Sequence, residues 1–287
     1  MDFLDELETR VLCGDGAIGT MLLNAGVPVD RCLEELCVSQ PERIREIHRR
    51  YIAAGARVIE TNSFGANAVR LERFGMEERV AEINRAAATI AREAIGNQPI
   101  YLAGSVGPLG LTADEARRRR IDRAQCFEEQ TTALAESGAD LIFLETFTSC
   151  EELEIAFCAK EKVSKAPALC SFACAPTAAL GDGTSLVEAF AKLESIGAKL
   201  FGVNCMNDPV ATCELVRRLP PRYRMAAYAT AGFPIRHNEQ LMYPVRSDEF
   251  GRGAQELIAE GVRLVGGCCG TTPAHIAAVA SAVARCE

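Results

Sequence analysis

Short apolar runs and longer amphipathic stretches alternate along this chain eight times. The apolar runs are Val11–Gly14, Val58–Thr61, Tyr101–Ser105, Leu141–Glu145, Ala168–Ala173, Leu200–Asn204, Met225–Ala229 and Leu264–Gly267. Consecutive apolar positions are the pattern of strands covered on both faces. The segments between them repeat apolar residues at helical spacing and predict helices at Pro41–Ala54, Glu78–Ile95, Arg123–Ser137, Glu151–Val163, Ser185–Ile196, Pro209–Leu219, Glu249–Glu260 and Pro273–Ala284. The segments AAGARVIE, ESGADLIF, SIGAKLFG and AEGVRLVG share one device, a Gly just after the last helical turn with a strand directly behind it. Gly there accepts the left-handed conformation of a helix C-cap.

Regular alternation implies parallel pairing, and eight such units close on themselves. The predicted fold is one (β/α)8 TIM barrel over residues 1–287. An open doubly wound sheet is the alternative, but GDGAIG at 14–19 lacks the spacing of a dinucleotide fingerprint. No low-complexity tract or Pro/Ser-rich hinge marks a second domain.

Composition narrows the function. A chain of 287 residues, 48% apolar, can fill a large barrel. Its net charge of −8 argues against a nucleic-acid partner, because phosphates attract basic surfaces. The basic run Arg117 to Arg120 is flanked by Asp114, Glu115 and Asp122 and reads as a solvated helix start. No run approaches the ~20 apolar residues of a membrane span, and the opening MDFLDELETR is acidic, so a cytoplasmic protein without a membrane partner is expected. Thirteen cysteines, an odd number, suit a reducing compartment. Cys13, Cys126, Cys158, Cys170, Cys174 and Cys213 are expected to be small buried hydrophobes.

Barrels of this kind carry their chemistry at the C-terminal ends of the strands. Those ends read Asp15-Gly16, Glu60-Thr61-Asn62, Gly104-Ser105, Glu145-Thr146, Asn204-Cys205 and Gly266-Gly267-Cys268-Cys269-Gly270. Alternate strands share an interior layer, so the second, fourth, sixth and eighth endings should face one another, with Cys205 near the pair at 268 and 269. Neighbouring residues on a regular strand point to opposite faces, so the pair converges only if the strand breaks there, as Gly266, Gly267 and Gly270 permit. Two core thiols or a vicinal disulfide are the alternatives for the pair. Three thiolates on one zinc leave a fourth position open, and such a site suits holding a substrate thiol as thiolate better than activating water. That chemistry is alkyl transfer to sulfur.

The segments DGAIGTML (15–22), ETNSFGAN (60–67), GSVGPLG (104–110), LETF (144–147), GVNC (202–205) and GGCCGTTPAHI (266–276) resemble the homocysteine S-methyltransferases over nearly the whole chain. The likeness is greatest to the homocysteine-binding barrel of cobalamin-dependent methionine synthases and of bacterial homocysteine methyltransferase and methylenetetrahydrofolate reductase fusions. The resemblance implies that Cys205, Cys268 and Cys269 bind Zn2+ and that homocysteine sulfur takes the open site. By the same matching Asp15 and Glu145 hold the substrate ammonium, and Thr61, Ser105 and the amides of Gly16 and Ala17 hold its carboxylate. Asp15 could instead cap a turn, and Glu60 could point outward or pair with an arginine. Relatives in the methionine synthase branch commonly read Pro-Asn-Ala-Gly after the seventh strand, where this chain reads Ala229-Thr230-Ala231-Gly232; this leaves the capping of the metal open. The methyl donor lies outside the chain, either a separate methyl-corrinoid protein or a small donor such as S-methylmethionine or betaine. A noncatalytic zinc or thiol module that binds a partner, and transfer to another small thiol or selenol, are the other readings.

Overall fold

The computed structural model describes residues 3–237 and 240–286. Eight parallel strands form one sheet: β1 (Leu12–Cys13), β2 (Val58–Glu60), β3 (Tyr101–Val106), β4 (Leu141–Phe147), β5 (Ala168–Phe172), β6 (Leu200–Asn204), β7 (Met225–Ala229) and β8 (Val262–Gly267). Each pairs with its sequence neighbour from β2 to β8, and β8 pairs with β1. The circle closes between β1 and β2 through one parallel bridge, Gly14 to Val58, and the Arg57 N–H donates to the Cys13 carbonyl at 2.7 Å. The architecture is a (β/α)8 TIM barrel.

The predicted helices are present with ends shifted by a few residues, as at Pro41–Ala53, Val80–Ile95 and Pro273–Ala284. The recurrent glycine adopts a positive φ each time, between 87° and 104° at Gly55, Gly138, Gly197 and Gly261, values that a side chain would strain. Apolar residues on the outer strand faces pack against the helices in one cluster, and a second cluster fills the barrel. The inner cluster is built from Leu12, Val58, Ala103, Leu141, Phe143, Leu169, Leu200, Ala226 and Leu264.

Several elements depart from the expectation. The acidic start folds as a helix, Phe3–Thr9, whose Phe3 and Leu7 join the inner cluster. Arg263 donates to the carbonyls of Leu7 (2.9 Å) and Glu8 (2.6 Å), tying down the last turn where a cation favours the helix dipole. Arg117, Arg118 and Arg119 are not a helix start but the last turn of Ala113–Arg119, a helix opened by a Thr112–Glu115 capping box. An antiparallel hairpin, Ile235–His237 with Gln240–Met242, rises between β7 and β8. Cys13, Cys170, Cys174 and Cys213 are buried as expected; Cys126 is half-buried, and Cys158 is exposed on its helix.

Candidate active site

The C-terminal ends of the strands surround a cavity of about 330 Å³. Gly16, Ala17, Thr61, Ser105, Glu145, Cys205, Cys268 and Cys269 line it, together with Glu60, Asn204 and Tyr228. Asp15 is absent from that lining and only 1% exposed. The sulfurs occupy one corner and the carboxylates another.

At the sulfur corner, two different backbone devices bring the thiols together. β8 ends at Gly267, and the next four residues form a turn closed by Thr271 N–H to Cys268 C=O at 3.1 Å, with Gly270 third at φ 83°. A positive φ at that place is the type II arrangement, which only glycine and asparagine accept easily. The turn lets Cys268 and Cys269 leave the alternation of the strand, and the pair forms no disulfide. Gly266 makes room of another kind, since a Cβ there would overlap the Tyr228 ring. On the facing side Cys205 and Met206 both adopt left-handed conformations, φ 57° and 53°, directly after β6. Such strain in non-glycine residues costs on the order of 1–3 kcal/mol each and collects at functional sites. Ties to the neighbouring strand hold the loop: Cys205 N–H to Tyr228 C=O at 3.0 Å and Thr230 N–H to Asn207 C=O at 2.9 Å.

The three Sγ atoms lie within 4.8 Å of one another, with Cys205 and Cys269 3.9 Å apart. Two thiolates about 2.3 Å from a tetrahedral zinc stand about 3.8 Å apart, so the donor set and its spacing fit that ion. Hydrogen bonds from the Cys268 and Cys269 thiols favour the thiolate of Cys205 and pull its pKa down. The same contacts push Cys268 up, and Cys269 rises chiefly through its bond with Cys205. The cluster therefore holds one negative charge readily and would release further protons to a cation.

At the acid corner a bulge aims the side chains. β4 places Leu144 opposite Cys170 but Phe147 opposite Phe172, one residue too many on its own side. The extra residue leaves Thr146 left-handed at φ 63°, and Glu145 turns into the cavity. Asn204 locks this geometry. Its Oδ1 accepts from Thr146 N–H at 2.9 Å and from the Ser171 hydroxyl at 2.7 Å, and its Nδ2 donates to Thr146 Oγ1 at 2.7 Å. Ser105 Oγ donates to Glu145 Oε1 at 2.5 Å.

Asp15, Glu60 and Glu145 adjoin one another. Glu60 N–H donates to Asp15 Oδ2 at 3.0 Å, while Asp15 Oδ1 is buried without a partner among the described residues. A turn cap does not account for Asp15, which bonds across to β2. Glu60 does not point outward to an arginine; it faces the cavity between the other two acids. Burial pushes all three carboxyls up, and mutual repulsion adds to the rise at Asp15 and Glu60.

The two hydroxyls expected at a substrate carboxylate are engaged within the protein. Ser63 Oγ donates to Ser105 C=O at 2.7 Å, so Thr61, 2.5 Å from Ser63 Oγ, gives its proton to Ser63. Thr61 also accepts from Ser105 N–H at 2.9 Å, and the Ser105 hydroxyl is spent on Glu145. Ala17 N–H donates to Thr271 Oγ1 at 3.1 Å, whereas Gly16 N–H has no partner among the described residues. Thr230 does not reach for the sulfurs, because its hydroxyl lies 2.8 Å from Cys269 C=O and 3.0 Å from Gly232 C=O.

Residues 12–283 match the sequence profile of the family described as Homocysteine S-methyltransferase. The chain belongs to that family. Two methionine synthases are among its relatives, from Mycobacterium leprae (32% identical over 311 residues, all of this chain and 25% of the relative) and from Mycobacterium tuberculosis (32% over 303 residues, 99% and 25%). The chain thus spans about a quarter of the length of these curated relatives. Among solved structures it resembles the metallated homocysteine methyltransferase MmuM of Escherichia coli, with a TM-score of 0.79 and 28% identity over 96% of this chain and 98% of that one. The resemblance read in the sequence is therefore a true membership. Within this homocysteine S-methyltransferase barrel, motif reading did not reveal the locking role of Asn204, whose partners Ser171 and Thr146 lie on other strands. No described helix is long and apolar enough to cross a membrane.

Proposed function

We propose that this chain is a zinc-dependent homocysteine S-methyltransferase of the cytoplasm, making methionine from homocysteine with a donor that reaches the barrel from outside. The observation that carries the reading is the juxtaposition of three convergent thiols and an uncompensated acid corner in one cavity. A thiol amino acid has a sulfur for the first and an ammonium for the second. The relatives support it, being named methionine synthase and homocysteine methyltransferase, the latter in a metallated form.

Cys205, Cys268 and Cys269 would hold the zinc, which would bind the substrate sulfur and lower its pKa from the ordinary value of about 8.5. Glu145, oriented by Ser105 and by the Asn204 lock, meets the ammonium. Gly16 offers its N–H to the substrate carboxylate, while Thr61 and Ala17 hold the loops around it. With the thiol proton removed before transfer, the remaining work is alignment of sulfur and methyl. Cys269 is exposed at the mouth, so the donor approaches from solvent. A separate methyl-corrinoid protein or S-methylmethionine could supply the methyl group, and an assay of methionine formation with each distinguishes them.

Zinc X-ray absorption of the loaded protein tests the acceptor. An added sulfur neighbour when homocysteine is present is the expected result. A metal shell unchanged by homocysteine would instead favour a noncatalytic module and overturn the assignment.

A further inference from the structure

The orientation of the acids singles out a residue to which the family resemblance gave no role. Glu60 and Glu145 line the cavity, whereas Asp15 is 1% exposed and absent from the lining. Glu60 is placed by its own backbone, whose N–H is bound to Asp15 Oδ2 at 3.0 Å, and its carboxyl lies close enough to those of Asp15 and Glu145 for their charge to push it up. None of the ion pairs formed among the described residues supplies this trio with a lysine or arginine. A third acid in the lining, Glu34, already accepts from Gly65 N–H at 2.8 Å, which leaves Glu60 and Glu145 facing the cavity without a cation. These are the surroundings an ammonium group requires, since its three N–H donors need acceptors and its charge needs opposite charge.

We propose that Glu60 is a substrate-binding residue, gripping the ammonium jointly with Glu145, and that Asp15 acts from behind as the residue positioning Glu60. The assignment rests on the homocysteine reading above and deepens it. It gives the buried Asp15 carboxylate a defined task, holding the end of β2, and it makes the selection of an amino acid depend on the second strand as well as the fourth. A thiol of the same length without the amino group would gain nothing from Glu60.

Calorimetric binding to the zinc-loaded protein tests this with two thiols, L-homocysteine and its deamino analogue 4-mercaptobutanoate. The parent should prefer homocysteine. Glu60→Gln, close in shape but uncharged, should bind homocysteine about ten- to a hundredfold more weakly, the range for losing a hydrogen bond to a charged group. Its affinity for 4-mercaptobutanoate should change less than about threefold on the same scale, and Glu60→Asp, which keeps the charge, should recover part of the selectivity. Zinc content and circular dichroism should match the parent in both variants. Equal weakening of both thiols, or no weakening of either, overturns the role of Glu60 while leaving the homocysteine reading intact. Failure of the zinc-loaded parent to bind homocysteine overturns both.

Discussion

The two corners of the cavity are each short of positive charge, but they are built in opposite ways. The sulfurs are assembled by backbone contortion: a glycine turn after β8 and two left-handed residues after β6. The carboxylates are assembled by burial and by a side-chain lock, the β4 bulge held by Asn204. A soft cluster on strained loops suits a metal ion that can itself impose geometry, whereas hard carboxylates on strand ends suit a substrate that must be met by a preformed shape. The difference teaches that removing a thiol should abolish the sulfur corner outright, while the acid corner should lose function in steps.

Cys268→Ala should give the largest effect. Zinc retention, measured by metal analysis after dialysis, is expected to disappear, with methionine formation falling by more than about a hundredfold, beyond the usual loss for groups that merely support a ligand. Retained zinc with normal turnover would erase the contrast between the corners. Glu145→Gln should keep zinc and lower kcat/KM for homocysteine by about ten- to a hundredfold. Asn204→Ala comes next, at about tenfold in kcat/KM with a lower Tm, because it leaves Thr146 N–H and the Ser171 hydroxyl without their acceptor. An unchanged Tm would show that the bulge does not need its lock.

Much of this contrast was visible in the chain itself. Eight apolar runs and four recurrent glycines announced the barrel, and the sulfur corner was legible because that topology sets Cys205 at the same rim as GGCCG; the adjacent pair alone reads equally as core thiols or a vicinal disulfide. The acid corner was only half legible. Asp15 and Glu60 both close strands, but which of them faces the cavity depends on how β1 and β2 dock, and no local pattern encodes that. Thr61 and Ser105 looked like free donors because hydroxyls advertise capacity; that capacity is consumed by Ser63 and Glu145, one distant in sequence. The bulge at Glu145-Thr146 is likewise a matter of register between two strands.

The smallest effect concerns pH. The Glu60 carboxyl is raised above its ordinary 4.5, chiefly by burial and then by Glu145 and Asp15. A raised acid pKa means the folded chain holds a proton that the unfolded chain has released, so stability from this group declines as pH rises above about 4.5. Glu60→Gln lacks that decline. Its Tm should match the parent near pH 4 and exceed it by up to a few degrees at neutral pH, measured by calorimetry. A gap that narrows as pH rises would show that the acids are not in conflict.

The shortest strand has a bearing on all of this. β1 contributes two residues to the sheet, and its link to β2 is the single bridge at Gly14 next to the Arg57–Cys13 hydrogen bond. In deuterium exchange, amides along this seam should be the first of the barrel to lose protection, well before those of the longer β3 and β4. Asp15 and Gly16 follow directly on that strand, whereas the cysteines follow β6 and β8. Breathing at the seam would act first on Asp15 and Gly16, and the bonds from Gly267 N–H to Asp15 C=O at 2.9 Å and from Gly270 N–H to Thr20 Oγ1 at 2.9 Å would carry it to the turn that holds Cys268 and Cys269.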